Sequence, residues 1–97
     1  MKFINYVGYT DDKEKLAIHA PDHQRYMKSL LDSGKLSMGG PFSDGSGGLI
    51  IYEVATKEEA EALRDQDPFA ISGVFVRSEI KPWLLLAINP GLVMQDG

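Results

Sequence analysis

The sequence predicts one α+β domain in which strands and helices follow the order β-α-β-β-α-β. Three observations predict it: the length of 97 residues suits one domain with a modest core; four short runs are rich in β-favouring residues; and two segments with helical patterning separate them. The order is the split βαβ arrangement of ferredoxin-like folds.

The first strand and the first helix are predicted within the first 34 residues. Lys2 to Tyr9 is a short run of β-favouring residues. The main helix is expected to begin at Pro21, because proline fits the first helical position and disfavours helix in the residue before it. Residues 13–19 predict only a separate helical turn, and Gly34 is expected to end the helix.

The central part of the chain predicts a β-hairpin. Lys35 to Phe42 and Gly48 to Val54 are two strand-like runs, and Asp44-Gly45 is a turn signal between them.

A second helix and a last strand complete the pattern. Thr56 is expected to cap the helix, because Glu59 stands at the spacing of a capping box. Leu63 supplies a buried contact before Pro68 stops simple continuation, and Val74 to Trp83 predicts the last strand.

The patterning of the strands predicts a dimer. In the last strand Val74, Val76 and Ile80 are expected on one face and Phe75 on the other. Two helices can cover only one face, so the second face is expected to pack on the sheet of a second subunit. The tail from residue 84 to residue 97 is expected to extend that interface.

Composition excludes several classes of protein. Ten basic residues against fourteen acidic ones give a net charge of -4, which disfavours a nucleic-acid partner. There is no apolar run long enough for a membrane span and no cysteine. The amino terminus lacks a secretory pattern. We therefore expect a cytoplasmic protein that binds neither nucleic acid nor membrane.

His23 is the most informative residue, because it stands on an apolar helical stripe. Tyr26, Met27, Leu30 and Leu31 follow it at helical spacing. Two interpretations are open: a core histidine bonded to a backbone carbonyl, or a general acid or base.

Asp67 is the candidate partner of His23. It follows Leu63 by four positions near the end of the second helix, where the helix dipole disfavours a negative charge. Either it caps a new turn opened by Pro68, or it accepts a hydrogen bond from an imidazole. The two roles can coexist, because a carboxylate has two oxygens.

No metal or phosphate site is expected. His19 and His23 have the spacing of two helical metal ligands, but Pro21 lies between them and a clear third ligand is missing. His19 is interpreted as a solvated residue. The glycines at 39–40 and 45–48 lack the Lys-Ser or Lys-Thr of a phosphate-binding loop and are interpreted as bends.

Several short motifs, in order, resemble the YciI-like or YCII-related family. They are Pro21-Asp22-His23, Gly39-Gly40-Pro41-Phe42, Asp67-Pro68-Phe69, Gly73-Val74 and Lys81-Pro82-Trp83. The resemblance covers nearly the whole chain through Trp83. It implies one domain over residues 1–97 with an extension from about residue 84, and a ferredoxin-like subunit that forms a dimeric α+β barrel.

The resemblance also implies a functional pair at His23 and Asp67. Related chemistry includes dehydrochlorination of a chlorinated hydroxyquinol, and muconolactone isomerase is a structural relative. The leading hypothesis is a small lyase or isomerase without an organic cofactor, in which His23 moves a proton on a small cyclic or unsaturated acid and Asp67 orients it. The residues expected to bind the ligand are Tyr6, Gly40, Pro41, Phe42 and Phe69. The competing hypotheses are a noncatalytic metabolite-binding or interaction module and a purely structural pair.

Overall fold

Four antiparallel strands form one sheet in the order β2-β3-β1-β4. The structure is a computed structural model that describes residues 1–93. Its elements are β1 (Lys2–Tyr9), α1 (Lys13–Asp32), β2 (Leu36–Pro41), β3 (Gly47–Glu53), α2 (Lys57–Asp65), α3 (Pro68–Ile71), β4 (Phe75–Trp83) and α4 (Pro90–Val93). The predicted ferredoxin-like α+β fold is confirmed, and the last four residues of the predicted tail lie outside the described residues.

Helix α1 corrects the predicted start at Pro21. The helix begins at Lys13, with Pro21 in its interior. Asp12 caps it, because its side chain accepts a hydrogen bond of 3.1 Å from the backbone N–H of Lys15. An interior proline costs roughly 3 kcal/mol, so packing of the long helix on the sheet outweighs a local preference. The helix ends near the predicted stop, and Gly34 adopts a positive φ of 78°.

The core lies between the helices and one face of the sheet. In β1, Phe3, Asn5 and Val7 are buried and alternate with more exposed residues. The buried core cluster contains Phe3, Leu30, Leu36, Ile50, Tyr52, Ala60, Leu63 and Ile80. Because it includes residues of both α1 and α2, both long helices cover the same face.

Strand β4 differs from the predicted face assignment. Its register with β1 shifts, so that Tyr9 pairs with Phe75 while Gly8 pairs with Arg77. The extra residue is Val76, which is 63% exposed, and Phe75 packs against the core cluster that contains Ile80. A β-bulge reverses the side-chain alternation at this point. The prediction that Phe75 lies opposite Ile80 is therefore wrong.

Because α1 and α2 both pack on the core face, neither of them covers the second face of the sheet. Ile4 pairs with Ile51, and Tyr6 pairs with Leu49, on the face opposite the core residues. On this face Tyr6 is 47% exposed. We call this surface the open face.

Within residues 1–93, no helix has the length and apolar character needed to cross a membrane.

Candidate functional site

His23 and Asp67 form a short hydrogen bond between two separate elements. His23 lies on α1, and Asp67 lies at the start of α3. The distance between His23 Nδ1 and Asp67 Oδ1 is 2.7 Å. The side chains are 14% and 0% exposed. A carboxylate can only accept, so the tautomer that satisfies this bond carries its proton on Nδ1. This leaves Nε2 as the nitrogen that can exchange a proton with a ligand.

Asp67 has both of the roles that were weighed for it. Its Oδ1 atom accepts a second hydrogen bond of 2.9 Å from the backbone N–H of Phe69, and so it caps α3. Helix α2 ends at Asp65. The carboxylate therefore lies at the amino-terminal end of the short α3 turn, and the expected mismatch with the α2 dipole is absent.

Two aromatic rings hold the imidazole in place. Phe69 stacks on His23 with a centroid distance of 4.0 Å and an angle of 4° between the rings. Phe75 meets the imidazole edge-on, with a centroid distance of 6.1 Å. A hydrogen bond on one edge and a stacked ring on one face restrict rotation of the imidazole. The Asp67-Pro68-Phe69 turn therefore supplies both the carboxylate and the stacking ring.

The stripe predicted around His23 is only partly buried. Leu30 is buried, and Tyr26 and Met27 are partly buried against the core, but Leu31 is 50% exposed. The exposed Leu31 corrects the predicted stripe, because the part of α1 that carries it lies beside an open cavity rather than against packed side chains.

Burial, together with the nearby carboxylate of Asp67, changes the ionisation of two phenols. The Oδ2 atom of Asp67 is buried and has no hydrogen-bond partner within the described residues. Burial, and secondarily the negative charge of Asp67, raises the pKa of Tyr9 and raises the pKa of Tyr26 to about 12. The Tyr26 hydroxyl donates a hydrogen bond of 2.6 Å to the backbone oxygen of Leu63. Both phenols therefore remain protonated hydrogen-bond donors near neutral pH.

A cavity of about 580 Å³ lies between α1 and the β2–β3 side of the sheet. Most of its lining is apolar. The lining residues are Tyr9, Leu16, Ala20, His23, Gln24, Met27, Lys28, Leu31, Leu36, Met38, Gly39, Gly40, Pro41, Ile50 and Phe69. A partly apolar cavity of this size, with a few polar groups, is typical of a small-molecule site.

The structure brings together only some of the residues predicted to bind a ligand. Gly40, Pro41 and Phe69 line the cavity with His23. Tyr6 and Phe42 are outside its lining and pack on each other instead, with a centroid distance of 5.5 Å. The sheet separates Tyr6 from the cavity, because Tyr6 alternates with the core residues of β1.

Three polar residues of the lining were missed from the sequence: Tyr9, Gln24 and Lys28. The signal for the last two was present. Both follow Ala20 at helical spacing, which places the three residues on one stripe of α1. Gln24 and Lys28 already share this stripe in the helix predicted from Pro21, but the sequence does not show that the stripe borders a cavity.

The described residues contain no group of three or more histidine, cysteine, aspartate or glutamate side chains that could hold a metal ion. His19 and His23 do lie on one continuous helix, contrary to the expected break at Pro21. However, the carboxylate of Asp67 accepts a hydrogen bond from His23 Nδ1, so these two groups are already paired with each other.

The fold and the site define a class: a ferredoxin-like α+β protein with a histidine–aspartate pair beside a largely apolar cavity. The model of the YCII-related domain matches residues 1–84. The chain therefore belongs to the YCII-related family, and the predicted family is confirmed.

Named relatives agree with this family. The chain is 36% identical to the uncharacterized protein YjpA of Bacillus subtilis over 67 residues, which are 69% of this chain and 78% of that protein. It is 30% identical to protein YciI of Escherichia coli O6:H1 over 92 residues, covering 80% of this chain and 94% of that protein.

A solved structure shares the fold. It is 5-chloro-2-hydroxyhydroquinone dehydrochlorinase (TftG) from Burkholderia phenoliruptrix, in complex with 2,5-dihydroxybenzoquinone. The TM-score is 0.76 and the identity is 22%, with 87% of this chain and 94% of that chain covered. At this identity the likeness shows the ferredoxin-like fold alone.

Proposed function

We propose that this protein is a small lyase or isomerase that moves a proton on a small cyclic or unsaturated acid. One observation carries the proposal: the hydrogen bond of 2.7 Å between His23 Nδ1 and Asp67, in a histidine whose ring also lines the cavity. His23 acts through Nε2 as the general base or acid. Asp67 holds the imidazole and stabilises its charged form.

The reaction class follows from what one imidazole can do. In a dehydrochlorination, Nε2 takes a proton from the substrate, and chloride leaves with its bonding electrons as a double bond forms. In an isomerisation, Nε2 returns the proton to a different atom. A positioned general acid or base contributes roughly 10²- to 10⁴-fold to the rate. This chemistry calls for no organic cofactor.

The site and a distant relative support this class. The cavity is large enough for a single small ring, and most of its lining is apolar. TftG is named as a dehydrochlorinase of a chlorinated hydroxyquinol. We extend to this chain only the type of chemistry, which is proton transfer in either a dehydrochlorination or an isomerisation.

The test compares two histidine variants of the same helix. His23→Ala and His19→Ala are assayed with small cyclic and unsaturated acids and, separately, with chlorinated hydroxyquinols, by following product and chloride release. We expect His23→Ala to lose roughly 10²-fold or more of the activity and His19→Ala to retain it. Equal activity in both variants would remove His23 from the mechanism.

A noncatalytic metabolite-binding module is the second candidate. The apolar character of the cavity lining favours it, because binding of a ring requires no proton transfer. Thermal shift with a metabolite panel, followed by product analysis, separates the two functions. Saturable stabilisation without any product supports the binding module, whereas turnover supports the enzyme.

We also propose that the protein is a homodimer through its open face. The accessible surface is 6344 Å² for a chain of 10.7 kDa, whereas a compact monomer of this mass exposes about 5,500 Å². The excess shows that the chain is less compact than an average monomer, and the apolar segment after β4 is part of that exposed surface. In that segment Leu84 is 72% exposed and Leu86 is 89% exposed.

Other expectations about partners and location stay predictions. The small-molecule ligand is tested by the assays above, and binding to nucleic acid or membranes is tested by titration with DNA, RNA and lipid vesicles. Fractionation of cells that produce the protein tests the cytoplasmic location.

A further inference from the structure

The charges around the cavity are one-sided. The chain has fourteen acidic residues against ten basic ones, yet the cavity lining that the structure describes contains no aspartate or glutamate. It contains one lysine, Lys28, and no arginine. In a chain with more acidic than basic residues, the lining therefore supplies a positive side chain and no carboxylate of its own.

The other polar side chains of the lining can all donate hydrogen bonds. Gln24 offers an amide N–H, and His23 offers a proton when it is charged. Burial and the negative charge of Asp67 raise the pKa of Tyr9, so its hydroxyl remains a neutral donor near pH 7. Asp67 is absent from the lining, and its carboxylate accepts a hydrogen bond from His23 Nδ1.

Helix geometry separates the cation from the imidazole. Lys28 follows His23 by five residues on α1, which is a rise of about 7.5 Å along the helix axis. Gln24 precedes Lys28 by four residues and therefore lies on the same stripe. The apolar residues Met27 and Leu36 line the cavity together with this stripe.

The present partner of Lys28 is weak. Its ammonium lies 3.0 Å from a carboxylate oxygen of Asp32, and the two side chains are 74% and 66% exposed. Exposed pairs at this helical spacing contribute little to stability, because solvent screens them and long side chains lose freedom. Lys28 can therefore exchange this contact for a bound anion at small cost.

We propose that Lys28, assisted by Gln24, binds the negative group of the substrate and so selects small anions with an apolar body. The anionic group lies at the Lys28 end of the cavity, and the atom that exchanges a proton lies at His23, about 7.5 Å away along the helix axis. This inference rests on the proposed function, because it assigns the two ends of the same site. Lys28 is a specificity-determining residue and takes no part in the proton transfer.

The experiment compares a charged probe with a neutral probe of the same shape. Benzoate and benzamide are titrated into the wild-type protein, Lys28→Ala, Lys28→Arg and the control Lys57→Ala, with heteronuclear NMR as the readout. Lys57 is exposed at the start of α2, outside the cavity lining. We expect Lys28→Ala to weaken benzoate binding about fivefold, the size of one exposed ion pair, and to leave benzamide binding unchanged. Lys28→Arg and Lys57→Ala are expected to bind benzoate like the wild type.

The salt dependence of benzoate binding is a second test of the ion pair. Added salt is expected to reduce the difference between wild type and Lys28→Ala, because it screens an exposed ion pair. Equal benzoate affinity in these two proteins overturns the anion assignment, and so does failure of benzoate to bind the wild type. Neither outcome touches the proton-transfer proposal, which fails separately if His23→Ala retains turnover.

Discussion

Replacement of Asp67 by asparagine tests how the buried carboxylate supports His23. The substitution preserves the shape of the side chain and an oxygen that can accept from the backbone N–H of Phe69, which lies 2.9 Å from Oδ1. It removes the negative charge that lies 2.7 Å from His23 Nδ1. An imidazole that takes a proton at Nε2 then develops its positive charge beside a neutral amide.

The expected magnitude follows from that loss of charge. Hydrogen bonds to charged groups contribute about 1.5–3 kcal/mol, against about 0.5–1.5 kcal/mol for neutral pairs. A difference of about 1–2 kcal/mol in the transition state lowers kcat/KM roughly five- to thirtyfold. The loss is larger if the amide turns its NH2 group toward Nδ1, because the proton of His23 then moves to Nε2.

The assay uses a neighbouring aspartate as its control. Asp65→Asn removes the charge of a side chain that is 67% exposed at the end of α2. Both variants are checked for native unfolding, and their kcat/KM values are measured on any acid that the wild type converts. If folded Asp67→Asn stays within about twofold of Asp65→Asn, the carboxylate does not support catalysis and the reasoning is refuted.

Three further predictions concern the fold and the assembly. Pro21→Ala is expected to stabilise the protein by roughly 2 kcal/mol in urea unfolding, because α1 regains a backbone hydrogen bond. The greater freedom of the unfolded chain offsets part of this gain. An unchanged or lower stability would contradict the prediction. Burial, followed by the charge of Asp67, raises the pKa of Tyr26 from 10.0 to about 12, so its contribution to stability is present below pH 10 and is lost as the pH rises toward 12. Stability measured over that range should fall less steeply in Tyr26→Phe than in the wild type, and an equal slope would exclude Tyr26 as a contributor. Leu86→Glu is expected to weaken the dimer in size-exclusion chromatography with light scattering, whereas Ile18→Glu, at a residue of α1 that is 63% exposed, should leave it intact; the same mass for both variants would contradict the assigned interface.

The order of the elements could be predicted because local signals agree with the tertiary structure. Thr56 caps α2 as its spacing with Glu59 indicates, since its side chain accepts from the Glu59 N–H at 3.2 Å. The start of α1 could not be predicted, because the local preferences at Pro21 favour a break in the helix. The energy that overrides them comes from packing of α1 on the sheet. The β-bulge at Val76 was hidden for a similar reason, since it is a property of strand pairing.

The candidate pair was accessible from sequence, but the shape of the site was not. His23 and Asp67 stand out as polar residues in apolar or terminal positions, and the structure joins them at 2.7 Å. Tyr6 could not be assigned to a face, because β1 carries apolar residues on both sides and the alternation alone does not say which side meets the helices. The Lys28 side of the cavity was missed because it is defined by how α1 lies against β2 and β3, which the helical pattern does not show.

The most direct test of the His23–Asp67 pair needs no substrate. Long-range ¹H–¹⁵N NMR at neutral pH reports which ring nitrogen of each histidine carries the proton, and His19 serves as an internal comparison. We predict that the proton of neutral His23 is on Nδ1 in the wild type, and that the Nδ1 signal changes in Asp67→Asn while His19 does not change. A proton on Nε2 of neutral His23 in the wild type, or a His23 spectrum that ignores Asp67→Asn, would contradict the account.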